Sequence, residues 1–291
     1  MVTLAVAACT APHDPADGTS DTRDATVEPG SPSPTQTPDA AGQLAGSSGA
    51  PVTNAGKGTL AYYMERIPRF PAPPPPTKLV LPRTPDSAAF QFEIPTTDKV
   101  AFLTIDDGTV PHPWALPLLQ AANVPVTLFL TTNTIRDHIE YFRALQQAGA
   151  VIESHTVSHP QLTTLGYERQ KYELCHAADQ LGEWYGQRPT LFRPPYGEKN
   201  ADTLRAAWSC GLLAGFNWRE SARNRGVAYQ RPDHRVHAGD IILMHFRATF
   251  PDDFVAALRA IKAAGLTPAA LGDYAHVTPI RTPDAVPRNP L

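Results

Sequence analysis

The chain has 291 residues, of which 42% are hydrophobic, and a formal net charge of -3 at pH 7. This length and composition are sufficient for one large buried core. The near-neutral charge and the lack of a dense basic run argue against nucleic acid as a partner. The 31 prolines are densest before Val100, which divides the chain into an irregular N-terminal third and a globular remainder.

The first nine residues, MVTLAVAAC, predict a signal segment that ends at a cysteine. The apolar stretch before Cys9 resembles the lipobox of bacterial lipoproteins, in which the cysteine is lipid-modified after signal cleavage. The segment is short and has no basic region at its start, so we expect a start site further upstream. We expect an extracytoplasmic protein, secreted or anchored through Cys9 to the outer face of the cell membrane. The alternative is a ragged apolar N-terminus with an unmodified cysteine.

Two segments precede the globular part. Residues 10–57 consist mainly of Ala, Pro, Ser, Thr, Gly and Asp, which cannot bury enough surface to offset their ordering entropy, so they predict a disordered tether. Residues 58–98 predict an irregular, proline-rich strap, in which PAPPPP at 71–76 is typical of a stiff extended segment. Apolar side chains just before this run favour partial docking on the domain: Tyr62, Tyr63, Met64, Ile67 and Phe70.

Beyond residue 99, apolar runs alternate with helical periods. The run VAFLTIDDGT at 100–109 has no polar alternation and is typical of a strand buried on both faces. The six later runs are 124–130, 150–153, 189–192, 212–216, 241–244 and 266–270. The polar stretch 218–239 predicts a long loop. Seven strands separated mostly by helices predict an α/β fold, a closed or nearly closed β/α barrel of parallel strands.

Asp106 and Asp107 stand together at the end of the first predicted strand. The carboxyl ends of parallel strands are where α/β proteins usually bind their ligands. Two adjacent carboxylates repel each other, so such a pair is costly unless a metal ion or an arginine compensates the charge. The sequence therefore predicts a functional site at this end of the sheet.

His155 and His159 follow the third predicted strand in the motif SHTVSHP. Their i, i+4 spacing places both imidazoles on one face of a helical turn, although such a pair alone is more often a solvated face. Together with one aspartate they make three ligands and leave a coordination position open, which is typical of catalytic zinc. A facial-triad iron(II) oxygenase uses the same ligand types and is the alternative.

Two further motifs follow later strands. In FRPPYG, Arg193 would pair with the aspartate that does not bind metal, and the two prolines would hold a turn that presents the backbone N–H of Tyr196. A rigid loop with a structural arginine is the alternative. In ILMHF, His245 ends a strand with Leu243 on the same face. A lone histidine is more often a core residue, but the end of a barrel strand favours catalysis.

The ordered motifs TIDDG, HTVSH, RPPYG and LMH resemble the NodB-homology polysaccharide deacetylases, carbohydrate esterase family 4, over roughly residues 99–274. The resemblance implies a distorted (β/α)7, TIM-barrel-like catalytic domain at 99–291, preceded by the disordered segment. It also implies that Asp107, His155 and His159 hold a divalent metal, usually zinc, with cobalt or nickel as alternatives.

The resemblance implies catalytic roles as well. Asp106 would be the general base, oriented by Arg193, and His245 would be the general acid that protonates the departing amine. The backbone N–H of Tyr196 would help to bind the oxyanion. Two further side chains would line the slot for the acetyl methyl group: Trp218 and Leu243.

One segment departs from the family pattern. Where the family has an aspartate-rich DxxDW segment, whose carboxylate tunes the catalytic histidine, this chain reads FNWRESARN. Glu220 is the candidate substitute and Asp233 is the alternative. The metal set is intact, whereas the tuning of His245 depends on this segment.

The implied function is metal-dependent removal of N-acetyl groups from a β-1,4-linked glycan, such as peptidoglycan or a chitin-like oligomer. An O-acetyl xylan esterase with the same machinery is one alternative, and a catalytically weak glycan-binding lipoprotein is another. We expect a monomer whose partner is the acetylated polysaccharide. Cys175 and Cys210 lie on successive predicted helices and are equally consistent with a disulfide and with buried free thiols.

Overall fold

The structure is a computed structural model that describes residues 56–77 and 80–276. The predicted signal segment with Cys9, and the predicted tether as far as residue 55, lie outside the described residues. In the described part of the chain, no helix combines the length and the apolar character needed to cross a membrane.

One sheet, with helices between most of its strands, organises the described residues. The ten strands are β1 (Ala89–Gln91), β2 (Val100–Asp107), β3 (Val126–Leu130), β4 (Ala150–Ser154), β5 (Leu191–Phe192), β6 (Ala214–Phe216), β7 (Glu220–Arg223), β8 (Gly226–Tyr229), β9 (Ile241–His245) and β10 (Thr267–Pro268). The α-helices are α1 (Leu60–Met64), α2 (Ala115–Ala122), α3 (Thr132–Ile135), α4 (Ile139–Gln147), α5 (Tyr167–Tyr185), α6 (Ala201–Ser209), α7 (Phe250–Ala263) and α8 (Leu271–Tyr274).

The strand order is β1-β6-β5-β4-β3-β2-β9-β7-β8, with β10 paired to β2 outside this path. The strand pairs are parallel except for the antiparallel pair β7–β8. Each of the seven predicted strands is present. The predicted α/β class with a parallel sheet is therefore confirmed.

The sheet curves around one interior. Arg193 follows β5 and bonds Asp106 on β2 at 2.5 Å, although β3 and β4 lie between these two strands. In a flat sheet, strands about 4.8 Å apart would keep the two positions roughly 14 Å apart. On the other side, the Ile94 N–H donates to the Gly239 carbonyl at 2.8 Å, which ties the segment after β1 to the segment before β9. This curvature agrees with the expected distorted (β/α)7 barrel.

Two segments that were expected to be irregular contain regular structure. Within residues 58–98, α1 forms and β1 pairs with β6. The predicted loop 218–239 instead contains the hairpin β7–β8, whose turn residues Asn224 and Arg225 both have positive φ, 53° and 66°. These values are those of a type I′ turn, which suits a two-residue hairpin. The long-loop prediction was wrong at this point.

The alternation along β2 determines what each of its faces contacts. Phe102 belongs to the cluster inside the barrel, while Leu103 and Ile105 belong to the cluster between the sheet and its helices. Thr104 and Asp106 share the inward face with Phe102, because side chains alternate along a strand. Asp106 is therefore aimed into the barrel, where Arg193 contacts both it and Thr104.

A disulfide connects Cys175 on α5 to Cys210, the residue that ends α6. It closes a segment of 35 residues that includes β5 and the RPPYG motif. The structure thus decides between the two interpretations of these cysteines in favour of the disulfide.

Candidate metal and catalytic site

Asp106 is held by a buried arginine. Nη1 of Arg193 donates to Oδ1 of Asp106 at 2.5 Å and to Oγ1 of Thr104 at 2.9 Å, while Nε donates to the Phe216 carbonyl at 3.0 Å. The Arg193 side chain is fully buried and Asp106 is 3% exposed. A buried charge pair with this many hydrogen bonds fixes the rotamers of both partners.

Asp107 is aimed differently from its neighbour. An ideal strand would point it to the opposite face, but its φ of 70° turns the chain at the end of β2. Its Oδ1 lies 3.3 Å from Nε2 of His155 and 3.4 Å from Nε2 of His159. Burial raises the pKa of Asp107, but the surrounding histidines outweigh burial and hold this pKa at about 2. The carboxylate is therefore ionised at neutral pH.

His155 presents one specific ring nitrogen to Asp107. Its Nδ1 lies 2.6 Å from the backbone carbonyl of Arg193, and since a carbonyl can only accept, Nδ1 carries the proton. Nε2 is then the nitrogen free to bind a metal, the arrangement usual for metal-binding histidines.

Several strained backbone positions coincide with this site. Positive φ values occur at Asp107, Thr156, His159 and Tyr196, at 70°, 73°, 57° and 60°. Each of these non-glycine residues costs energy in this conformation, and such residues gather at functional sites. The strain indicates that the surrounding structure fixes the orientation of these side chains.

The three residues fit a metal ion. Ligand atoms of Asp107, His155 and His159 all lie within 4.8 Å of one another. Oδ1 of Asp107 is buried and has no hydrogen-bond partner among the described residues, although it faces both imidazoles. A buried carboxylate oxygen without a donor is costly, and a cation would satisfy it. One carboxylate and two imidazoles are donors that suit zinc and leave positions open.

Glu173 on α5 is a site residue that the sequence analysis missed. Its buried carboxylate accepts from the backbone N–H groups of Val157 and Ser158 at 3.1 and 2.9 Å, and from the Ser158 hydroxyl at 2.9 Å. These residues lie between the two histidines of the metal set. Glu173 therefore fixes the loop that carries His159, a role that a glutamate within an amphipathic helix does not reveal in sequence.

His245 lies beside Asp106, with which it is paired across β9 and β2. Its Nε2 is 3.7 Å from Oδ2 of Asp107. Burial lowers the pKa of His245, against the opposing effect of the two aspartates. His245 thus lies close to both aspartates, but its surroundings do not favour the charged form of its ring.

The predicted substrate-contacting residues lie near the groups described above. Tyr196 is 63% exposed, and its ring centroid lies 4.9 Å from that of His159. The Trp218 ring lies 5.6 Å from the Arg193 guanidinium carbon. Leu243 is 7% exposed and precedes His245 by two positions on β9, so both side chains are on one face.

The two candidate tuning carboxylates lie elsewhere. Glu220 pairs with Ile242, three positions before His245 on β9, which separates the two by about 10 Å along the strand. Its Oε1 is 3.8 Å from Nη1 of Arg231. Asp233 instead contacts Nε2 of His237 at 2.9 Å. The interpretation of Glu220 as the carboxylate that tunes His245 is therefore corrected, and Asp233 does not replace it.

Comparison with solved structures supports the fold. A family 4 carbohydrate esterase from Bacillus anthracis superposes with a TM-score of 0.55 at 22% identity, covering 63% of this chain and 86% of that one. A CE4 family pseudoenzyme from the same organism gives 0.54 at 19% identity, covering 61% and 65%. Since an esterase and a pseudoenzyme share this fold, the fold alone does not decide activity.

Sequence comparison identifies the family. The polysaccharide deacetylase family model matches residues 93–215. A Streptomyces coelicolor protein of uncharacterised function is 39% identical over 148 residues, 50% of this chain and 59% of that protein. A chitooligosaccharide deacetylase of Rhizobium leguminosarum is 30% identical over 173 residues, 54% and 78% respectively. A Bacillus cereus peptidoglycan-N-acetylglucosamine deacetylase is 26% identical over 178 residues, 58% and 83%. With the motif residues assembled at one end of the barrel, these matches show that the chain belongs to the polysaccharide deacetylase family.

Proposed function

We propose that the protein is a zinc-dependent hydrolase that removes N-acetyl groups from a cell-wall or chitin-like glycan. The observation that carries this proposal is the convergence of two differently held aspartates, one bonded to Arg193 and one facing two histidines. The names of the Rhizobium and Bacillus cereus relatives support an N-acetylated glycan as the substrate.

The site residues match the needs of amide hydrolysis. A divalent cation held by Asp107, His155 and His159 would polarise the acetyl carbonyl and lower the pKa of a water molecule. Asp106, fixed by Arg193, accepts the proton of the attacking water. The Tyr196 N–H donates to the developing oxyanion. His245, beside Asp106, delivers a proton to the sugar amine as the carbon–nitrogen bond breaks.

Two other functions remain as alternatives. The same groups would hydrolyse an O-acetyl ester of xylan, which demands less of the proton donor because an alkoxide leaves more readily than an amine. A catalytically weak glycan-binding protein is favoured by one observation: neither Glu220 nor Asp233 reaches His245.

The disulfide supports an extracytoplasmic location. Disulfides such as Cys175–Cys210 persist mainly in oxidising compartments. We propose that the protein is secreted or lipid-anchored through Cys9. Mass spectrometry of Cys9 in membrane fractions, after expression from a start site that restores a full signal, tests the anchor. An unmodified thiol there would remove the lipoprotein proposal.

Acetate release tests the proposed activity. The full-length protein is loaded with zinc and assayed on chitooligosaccharides, peptidoglycan and acetylxylan, with and without a chelator. We expect chelator-sensitive release from an N-acetylated glycan and its loss in Asp106→Asn. Release from acetylxylan alone would establish the esterase alternative. Stoichiometric zinc without release from any glycan would support the binding alternative.

A further inference from the structure

A cavity of about 370 Å³ lies beside the candidate site, and none of the proposed metal-binding or catalytic residues lines it. Its walls include the rings of Tyr63, His112 and Trp114 together with the charged side chains of Arg225 and Asp252. This volume is within the range of small-molecule sites, and the wall combines aromatic surface with a few polar groups, as binding pockets do.

The cavity opens at the same end of the barrel as the metal set. His112 is five residues after Asp107, and the wall residue Ala248 is three residues after His245. Extended chain covers at most about 3.5 Å per residue, so these walls lie within roughly 10 to 18 Å of the reacting groups. A polymeric substrate placed in the site would extend over this distance.

The polar side chains of the cavity offer hydrogen-bond donors that match the hydroxyl groups of a neutral ligand. The backbone N–H of Trp114 donates to Nδ1 of His112 at 3.2 Å, so Nε2 of His112 carries the ring proton and is a donor. Burial lowers the pKa of His112, which favours the neutral ring. Arg225 uses Nε toward Asp252 at 3.4 Å, and its two terminal nitrogens have no partner among the described residues. The Arg225–Asp252 pair leaves little net charge on the wall.

Much of the wall backbone, and the Asp252 carboxylate, are held by hydrogen bonds before any ligand binds. Arg225 is at the hairpin turn with a φ of 66°, and its backbone N–H donates to Asp253 at 2.7 Å. The His112 backbone N–H and carbonyl both bond the Tyr141 hydroxyl, at 3.0 and 2.9 Å. Asp252 accepts from the Tyr63 hydroxyl at 3.0 Å. Such preorganisation lowers the entropic cost of binding.

We infer that this cavity is a subsite for a neutral sugar unit at some distance from the one that is deacetylated, with the sugar ring on Trp114 and its hydroxyls on Arg225 and His112. The inference rests on the proposed function, because it requires a glycan in the site. Three wall residues lie outside the family match at 93–215: Tyr63, Arg225 and Asp252. Helix α1 and the β7–β8 hairpin thereby contribute to glycan binding.

Calorimetric titration with the β-1,4-linked pentamer and dimer of N-acetylglucosamine tests the inference. The full-length, zinc-loaded protein carries Asp106→Asn to prevent turnover. Arg225→Asn removes the guanidinium and keeps a residue that tolerates positive φ. Arg223→Asn, an exposed arginine on the same hairpin, is the matched control. We expect Arg225→Asn to raise the Kd for the pentamer about tenfold, with less than a twofold change for the dimer and for the control.

The outcomes separate the two proposals. An unchanged pentamer Kd in Arg225→Asn, or an equal loss for pentamer and dimer, would overturn the subsite while leaving the proposed function intact. If protein with Asp106 intact releases no acetate and neither oligomer binds, the proposed function fails and the subsite with it. Trp114→Ala should weaken pentamer binding to a similar degree. Should this variant fail to fold, Arg225→Asn alone decides.

Discussion

Asp106 and Asp107 are adjacent in sequence but have different contacts, and we propose different roles for them. Asp106 faces Arg193 inside the barrel, and Asp107 is turned by its positive φ toward two histidines. The two side chains can therefore be tested with the same substitution.

Asp107→Asn should abolish stable metal binding, because it removes the ionised ligand and leaves only a neutral amide oxygen. Loss of an outer-sphere partner typically costs 10- to 100-fold in metal affinity, so loss of a ligand should cost more than about 100-fold. Metal content after gel filtration, measured by elemental mass spectrometry, checks this. Asp106→Asn is the matched control and should retain its metal. Unchanged metal content in Asp107→Asn would show that the ligand assignment is wrong.

Glu173→Gln should weaken metal binding without unfolding the protein. Both loop N–H groups bond Oε2, and an amide oxygen can keep these two bonds but without the negative charge that strengthens them. The NH2 group that replaces Oε1 no longer accepts from the Ser158 hydroxyl, so the loop that carries His159 loosens. We expect zinc affinity to fall by about 10- to 100-fold, measured by competition with a chromogenic chelator. Glu168→Gln changes an exposed glutamate on the same helix and should have no effect. Equal affinities for the two variants would restrict Glu173 to a structural role.

At the scale of elements, the β7–β8 hairpin contains an unusual buried acid. Glu220 is fully buried, and neither of its carboxyl oxygens has a hydrogen-bond partner among the described residues. Burial, followed by the charge of Asp240, raises the pKa of Glu220 to about 9. A raised carboxyl pKa means that the folded state holds a proton that the unfolded chain releases above about pH 4.5.

The free energy of unfolding should therefore fall as the pH rises from about 5 to 9, by at most about 1.4 kcal/mol per pH unit from this group. Glu220→Gln removes the ionisation and should be progressively more stable than the wild type toward higher pH. Urea unfolding at several pH values checks this, with the exposed Glu183→Gln as control. A difference between Glu220→Gln and wild type that does not vary with pH would contradict the expected titration.

The hairpin also shows where sequence patterns are insufficient. The strand ESAR has one apolar residue, Ala222, and its turn places Asn224 and Arg225 rather than glycine at positive φ. Neither periodicity nor turn composition predicts a hairpin here, whereas the apolar runs of β2, β3 and β9 predict their strands directly. The position of Glu220 depends on its register with β9, which a local sequence pattern does not contain.

For the whole molecule, closure of the barrel depends on a few close contacts. Gly239 has a φ of 86°, and a Cβ atom there would lie 1.9 Å from the Ile94 carbonyl oxygen. This glycine lies where the segment after β1 meets the segment before β9. A side chain at this point would force these two segments apart.

Gly239→Ala should lower the free energy of unfolding by about 2–4 kcal/mol, through backbone strain and overpacking. Gly226→Ala is the control, because a Cβ atom there meets nothing within 4 Å. Urea unfolding of both variants measures the difference. Equal stabilities would show that the contact at Ile94 relaxes at little cost.

The disulfide should also contribute to global stability. Closing a 35-residue segment reduces the entropy of the unfolded chain by an amount worth about 3–4 kcal/mol. The double variant Cys175→Ala, Cys210→Ala should lose most of this, as measured by urea unfolding. A reductant should lower the stability of the wild type but not that of the double variant. A response of the double variant to reductant would contradict the assignment.

The sequence predicts the catalytic end of the barrel better than the remainder, for a physical reason. The proposed metal ligands and Arg193 occur in short motifs at or directly after the ends of strands. Because the strands are parallel, their carboxyl ends bring these motifs together at one end of the barrel. Glu173 acts from a helix, and the cavity at Arg225 needs α1, the hairpin and α7 in one place. Such arrangements depend on long-range packing that local patterns do not record.

The side chain and the backbone of Arg193 contact different parts of the candidate site. Its side chain holds Asp106, but its contact with His155 is made by the backbone carbonyl. A substitution at this position thus changes the environment of the base while leaving the tautomer of the metal-side histidine intact. Proton transfer and metal loading are therefore separable by a single mutation. We therefore expect substitutions of Arg193 to impair turnover while the proposed metal site is retained.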